Sequence, residues 1–274
     1  MKIFLTGGSG FIGQNFIKLA ISKGHFVYAT SRKKQNFENK NLKWLIGDFH
    51  KEWKELKKSQ VLVHLAASGV IRKKNNKKLI YDVNINKSEK LLDNAIKFGC
   101  KKWLVASTSS EYGKSLEKHK MVKISTIRKP DDLYSKSKSL FTDLSIKKAK
   151  LKNCKLRIMR IFPVYGEGED KKRLYTSLKH AANKGLNFKV NNPNEIRDFT
   201  NVSYVSKVLL EATDFNYKKF KNYQIWHVSE NKVMNVKKFT QKIWKKFNAK
   251  KKLIFDKKNK KTKTHVSHSS SRWT

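Results

Sequence analysis

The stretch "KIFLTGGSGFIG", residues 2 to 13, decides the fold. An apolar, β-forming run passes without a linker into glycines, and "FIGQNFIKLAISK" (11–23) then carries apolar residues at helical spacing. Gly7, Gly10 and Gly13 stand where a dinucleotide's pyrophosphate requires them. One glycine permits the sharp strand-to-helix turn, a second lets backbone N–H groups approach phosphate, and a third lets helix and strand pack closely. Phe11 and Ile12 complete the turn as cofactor-binding candidates. A ligand-free glycine turn is the bland alternative. A strand before it, a helix after it and its place at the start of the chain together favour cofactor binding.

Working outward, short apolar runs alternate with longer amphipathic stretches. Strands are predicted at 25–29, 42–46, 61–66, 102–107 and 155–162, and helices at 83–98 and 133–150. Such alternation predicts an α/β fold, a Rossmann-type doubly wound parallel sheet that binds ligands beyond the carboxyl ends of its strands. After Phe162 the rhythm changes. Helices are predicted at 173–185, 202–215 and 236–247, and strands at 186–190 and 223–229. The expected organisation is a dinucleotide-binding domain over 1–162 with returns near 197–228. A smaller C-terminal α/β substrate lobe covers 163–196 and 229–274 and ends in a basic tail, where order should fall.

Bulk properties narrow the class. The 274 residues suffice for one large domain with a smaller lobe, and no run approaches the length of a membrane span. The N-terminus reads as a first strand rather than a signal peptide. Two cysteines, Cys100 and Cys154, make a disulfide framework improbable and suit a reducing cytoplasm. His265 and His268 lack further ligands nearby, so no metal site is expected. The formal net charge of +42 raises the question of a polyanion such as RNA. The lysines are scattered over every segment and outnumber the arginines, which favours biased usage over a nucleic-acid face.

The stretch "DDLYSKSK" (131–138) places Lys138 four residues after Tyr134. With nine tyrosines and lysine at about one position in five, chance alone gives roughly two such spacings. The pattern also occurs at Tyr175/Lys179 and Tyr217/Lys221, so context must choose.

Eight segments in order supply that context: "TGGSGFIG" (6–13), "GD" (47–48), "VHLAA" (63–67), "VNINKSEKLLDNA" (83–95), "ASTSSEYG" (106–113), "YSKSK" (134–138), "RIFPVYGEGE" (160–169) and "RDFTNVSYV" (197–205). Together they resemble the extended short-chain dehydrogenase/reductases, the NAD-dependent epimerase/dehydratase group acting on nucleotide sugars. The resemblance makes Thr108 the residue that hydrogen-bonds the sugar oxygen, Tyr134 the catalytic acid–base and Lys138 its modulator and a nicotinamide-ribose contact. On a helix, positions four apart share a face, so the ammonium should pull the tyrosine's pKa down from its ordinary value. The resemblance also assigns Asp48, Phe49, Leu65, Ala66, Ala67 and Asn84 to the cofactor side. Ser109, Ser110, Arg173 and Arg197 fall on the substrate side, the arginines toward the nucleotide diphosphate. Bland readings stand beside these: a strand-end turn for Asp48, a helix cap for Asn84, a solvated charged face for Arg173 and a packed strand residue for His64. Relatives often dimerise through the helices near Asn84 and Tyr134, so a homodimer is expected.

At the end of the second strand, NAD-preferring relatives carry an aspartate for the adenine ribose. Here Ser31 stands there, followed by Arg32, Lys33 and Lys34. No carboxylate repels a 2′-phosphate, so NADP(H) is expected ahead of NAD(H). The 4,6-dehydratases of the family carry an Asp-Glu pair after the threonine, and Ser109-Ser110 replaces it, which argues against dehydration. The segment from Arg160 onward looks most like the CDP-abequose and CDP-paratose synthase branch, which reduces 4-keto-6-deoxy sugars. A 4-ketoreductase is the leading expectation. A 4-epimerase, and an RNA-binding member of the family, are the alternatives.

Overall fold

The glycine turn and the short apolar runs form the sheet that their periodicity demands. The computed structural model describes residues 1–70, 76–118, 121–216, 222–256 and 266. Its first half comprises β1 (Lys2–Thr6), α1 (Phe11–Ser22), β2 (Phe26–Ser31), β3 (Leu42–Ile46), β4 (Val61–His64), α2 (Lys77–Tyr81) and α3 (Ser88–Lys97). There follow β5 (Lys102–Thr108), a 3-10 turn (Ser109–Tyr112), α4 (Ser115–Lys118), α5 (Leu133–Leu151) and β6 (Lys155–Ile161). Beyond it come β7 (Val164–Tyr165), α6 (Leu174–Asn183), β8 (Phe188–Val190), β9 (Ile196–Asp198), β10 (Thr200–Asn201) and α7 (Val202–Glu211). The chain continues through β11 (Tyr223–Val228), β12 (Val233–Asn235), α8 (Val236–Lys246) and β13 (Leu253–Phe255).

Seven strands, all parallel, lie in the order β11-β6-β5-β4-β1-β2-β3. The chain winds outward from β1 through β2 to β3, then returns to start again at β4. The reversal between β1 and β4 is a switch point, and a crevice opens there at the carboxyl ends of the strands. The glycine turn stands at its lip.

Alternation along each strand divides the core. Ile3 and Leu5 of β1, with Val61 and Val63 of β4, face Phe16, Ile17 and Ala20 of α1 and Val205 and Leu209 of α7. Phe4 and Leu62 point the other way, into Leu91 and Leu92 of α3, Trp103 and Val105 of β5 and Phe141 of α5. Each such side chain contributes about 1.5–3 kcal/mol by leaving water. A further apolar cluster joins α6 and α8 through Tyr175, Leu178, Phe239 and Ile243, with Phe199 stacked on Phe239 at 3.8 Å.

Some elements depart from the expectations. The helix predicted over 83–98 is instead a π-helical turn, Asp82–Lys87, followed by α3. The pairs β7–β10, β9–β12 and β8–β13 were not expected, because two- and three-residue strands carry no periodicity. β13 lies where order was expected to fall, yet it pairs in parallel with β8. Residues 257–265 and 267–274 of the basic tail, including His265 and His268, lie outside the described residues, as do Tyr217 and Lys221. Among the described residues no helix is long and apolar enough to cross a membrane, and both cysteines are free and buried.

Candidate active site

The glycine turn is closed on its protein side and open outward. Gly7 has φ +73°, and a Cβ there would stand 2.7 Å from the Ala66 nitrogen. A Cβ on Gly13 would stand 2.1 Å from the Gly7 carbonyl oxygen, so only glycine lets α1 come this close. At Gly10 a Cβ would meet just that same oxygen, at 3.2 Å. Gly10 begins α1 in extended backbone with no side-chain cap, and the first turn holds no acidic residue. The N–H groups and the positive end of α1 therefore face the crevice, a setting that suits a pyrophosphate.

The neighbouring strand end is clipped to this turn. Leu65 N–H donates to the Thr6 carbonyl at 3.2 Å and Ala66 N–H to Thr6 Oγ1 at 3.3 Å. Ala67 is exposed beyond them. His64 lies buried between Thr6 Oγ1 (2.6 Å) and Ser88 Oγ (2.9 Å). Burial, helped by the Lys138 charge, pushes its imidazole down to about 3, so it stays neutral and packed. Phe49 lies 5.4 Å from that ring, centroid to centroid, and the Asp48 carbonyl accepts from Trp53 Nε1 at 3.1 Å. Ser31 is nearly buried and folds its loop on itself, donating to the Lys33 carbonyl at 2.7 Å, while Arg32 is exposed. Beside this loop a cavity of about 370 Å³ is lined by Gln14, Lys18, Lys34, Gln35, Phe37 and Trp44. None of the three catalytic candidates lines it.

Thr108 ends β5 in extended backbone, and its Oγ1 accepts from Ser110 N–H at 3.2 Å, which leaves its own proton for a ligand. Ser109 is buried in the 3-10 turn, and Ser110 is half-buried. Helix α5 starts at a capping box: Ser135 N–H donates to Asp132 Oδ1 at 2.7 Å and Asp132 N–H to Ser135 Oγ at 3.2 Å. Tyr134 therefore sits in the first turn, half-buried, with Lys138 one turn on and only 3% exposed. Asn84, carried by the π-helical turn, accepts from Ser68 N–H (2.8 Å) and donates to the Ser68 carbonyl and to Ser137 Oγ, both at 2.9 Å. It thus ties the segment after β4 to α5. π-turns recur at functional sites.

The electrostatics differ from the expectation. Lys138 does not pull Tyr134 down; burial raises the phenol, the Glu111 and Asp132 carboxylates raise it further, and Arg173 is the cation that works against them. Lys138 itself is lowered to about 8, by burial, with Glu111 opposing.

Glu111 escaped the sequence reading. It is fully buried and accepts from Ser107 Oγ, Thr142 Oγ1 (2.6 Å), Arg160 Nε (3.1 Å) and Arg128 (3.5 Å). The adjoining Tyr112 hydroxyl accepts from Arg160 at 2.8 Å and meets His227 Nε2 at 2.6 Å. An acidic residue inside "SSEYG" was the available signal, but apart from Ser107 its partners lie 17 to 49 residues along the chain.

Arg173 is half exposed, with Glu169 4.0 Å from its Nε; Arg197 Nε pairs with Glu195 at 2.7 Å. Glu169 is itself shielded, one of its oxygens has no hydrogen-bond partner, and burial pushes its carboxyl up to about 7. The loop bearing it rests on α1, where Asn15 Nδ2 donates to the Glu167 carbonyl at 3.2 Å. The Tyr175/Lys179 match serves structure: both side chains bind Glu167, at 3.0 and 2.7 Å.

Residues 3–225 match the NAD dependent epimerase/dehydratase family. The chain belongs to that family. It is an NAD-dependent enzyme of the short-chain dehydrogenase/reductase type. Protein CapI of Staphylococcus aureus is 26% identical over 89% of this chain and 82% of its own length. A GDP-6-deoxy-D-talose 4-dehydrogenase of Aggregatibacter actinomycetemcomitans is 29% identical over 74% of this chain and 67% of its own. Among solved structures, the Thermotoga maritima UDP-glucose 4-epimerase with UDP-glucose superposes with a TM-score of 0.81 at 21% identity, covering 97% of this chain and 89% of that one. The Thermus thermophilus UDP-glucose 4-epimerase complex with NAD has a TM-score of 0.81 at 18% identity, covering 97% and 90%. At such identity these structures bear on the fold.

Proposed function

We propose that this enzyme reduces the C4 keto group of a 4-keto-6-deoxy nucleotide sugar, with NADPH preferred to NADH. The observation that carries the reading is the placement of Tyr134, half-buried in the first turn of α5, one helical turn before the buried Lys138. A protonated phenol there, its pKa raised by burial, is the form that gives a proton to a nascent alkoxide. The 4-dehydrogenase relative acts, by its name, at C4 of a 6-deoxy sugar nucleotide, which supports the same reading.

Hydride is what a nicotinamide dinucleotide, held by Gly7, Gly10 and Gly13 with the Leu65–Ala67 edge, supplies at such a site. The chain's own residues do the rest. Tyr134 transfers its proton to the C4 oxygen as that oxygen gains negative charge. Thr108 donates a hydrogen bond to the same oxygen, its own lone pair taken by Ser110 N–H. Lys138, buried one helical turn away, would hold the nicotinamide ribose. Ser109 and Ser110 replace the Asp-Glu pair that water elimination uses. The nucleotide end of the substrate lies against the lobe of 163–196 and 229–274, with Arg173 and Arg197 toward its diphosphate.

Ser31 offers no carboxylate to repel a 2′-phosphate, and Arg32, Lys33 and Lys34 offer cations to attract one. KM should be lower for NADPH than for NADH, and a tenfold preference for NADH sinks this part. The direct test measures NADPH oxidation against 4-keto-6-deoxy CDP-, dTDP- and GDP-sugars. Turnover of one or more is expected. The 4-epimerase reading keeps the same three residues and is supported by the epimerase/dehydratase family match. It predicts interconversion of C4 epimers with no net NADPH consumption. A homodimer working in the cytoplasm completes the proposal.

A further inference from the structure

We propose that Glu111 is a positioning residue for the Thr108–Tyr134–Lys138 centre, holding β5 and α5 in one register beside the reacting groups. The proposal rests on the catalytic reading of those three residues. Glu111 Oε1 accepts from Ser107 Oγ, one residue before Thr108, and from Thr142 Oγ1, one helical turn after Lys138. A single carboxylate thus joins the residue behind the sugar-holding hydroxyl to the residue behind the amine. Its other oxygen takes Arg160 Nε from β6 and Arg128 NH1. Arg128 in turn grips α5 through Ser139 Oγ (3.0 Å) and Asp143 Oδ1 (2.6 Å). A buried ion pair is weak evidence of net stabilisation. Four donors drawn to one carboxylate from two strands, a helix and a loop fit a geometric role better.

The Glu111 charge also reaches the centre, raising the pKa of both Tyr134 and Lys138, so that each holds its proton to higher pH. Asp132 and Arg173 are the other charges facing Tyr134, and neutral His64 lies near Lys138. Around Glu111 itself stand Arg160, Arg128 and, beyond them, Asp143, Tyr112 and His227.

The test compares the parent enzyme with Glu111→Gln and with Glu111→Gln/Arg160→Gln, which leaves no buried guanidinium alone. Misregister should lower kcat by about tenfold or more with little change in the cofactor KM. The pH limb of kcat set by Tyr134 and Lys138 should move toward lower pH by about one unit, because a negative charge that held both protons has gone. A folded variant with parental kcat and an unmoved limb overturns the proposal. If the parent turns over no sugar, the catalytic reading fails instead. The Lys138 ammonium titration, followed by NMR of the labelled chain and assigned with Lys138→Met, then decides: it should occur at lower pH in Glu111→Gln, and an unchanged titration overturns the proposal.

Discussion

Tyr134 and Tyr175 stand at the same spacing from a lysine, yet the molecule uses them differently. Tyr175 and Lys179 share Glu167, whereas Lys138 is buried one helical turn after Tyr134. Tyr134→Phe should lower kcat on the order of 10²–10⁴ while leaving NADPH affinity nearly unchanged, measured by steady-state kinetics and fluorescence titration. Full activity in that variant overturns the assignment. Glu169 makes a second residue-scale prediction. Its folded-state pKa, about 7 against an ordinary 4.5, means the native chain holds a proton that the unfolded chain has released between those values. Stability therefore falls as pH rises through that window. Glu169→Gln should add about 1–3 kcal/mol at pH 8 and little at pH 5, read from thermal melts. The ordered motifs around Thr108, Tyr134 and Lys138 make those three the sequence's catalytic candidates. No motif marks Glu111, because besides the nearby Ser107 its donors stand at positions 128, 142 and 160.

At the scale of elements, the strand–turn–helix start depends on contacts with no room for a methyl group. Gly13→Ala would place a Cβ 2.1 Å from the Gly7 carbonyl, so the turn must open. The expected cost is about 1–3 kcal/mol of stability, together with a loss of dinucleotide affinity of roughly tenfold or more. Denaturant melts and NADPH titration check both, and unchanged affinity would show that the turn does not cradle the cofactor. The long amphipathic helices and the four-to-seven-residue strands of the main sheet were legible from periodicity. The π-helical turn was not, since one extra residue per turn leaves the apolar spacing of 83–98 nearly intact. The short strand pairs depend on partners tens of residues away.

Across the whole molecule, 63 basic residues face 21 acidic ones, so most cations have no acid to pair with. Helix α8 exposes Lys237, Lys238, Lys242, Lys245 and Lys246 and carries no acidic residue. Any RNA held by so diffuse a charge should be released by about 200 mM salt with turnover intact. Tight retention at that salt without turnover would favour the RNA-binding alternative. The excess itself was plain in the composition; its spread over many faces follows from lysines placed on the outer side of nearly every element.

Strand β11 reaches its place beside β6 only after residues 162–222 have been added. During synthesis β6 is therefore an open flank for as long as the ribosome takes to make that insertion, and an unpaired strand is a template for wrong partners. Arg157 and Arg160, both buried in the finished sheet, sit on that waiting strand. Charges on an open strand disfavour its pairing with another chain. A ribosome stalled before Tyr223 should display a chain that chaperones hold; one stalled well past Val228 should release it.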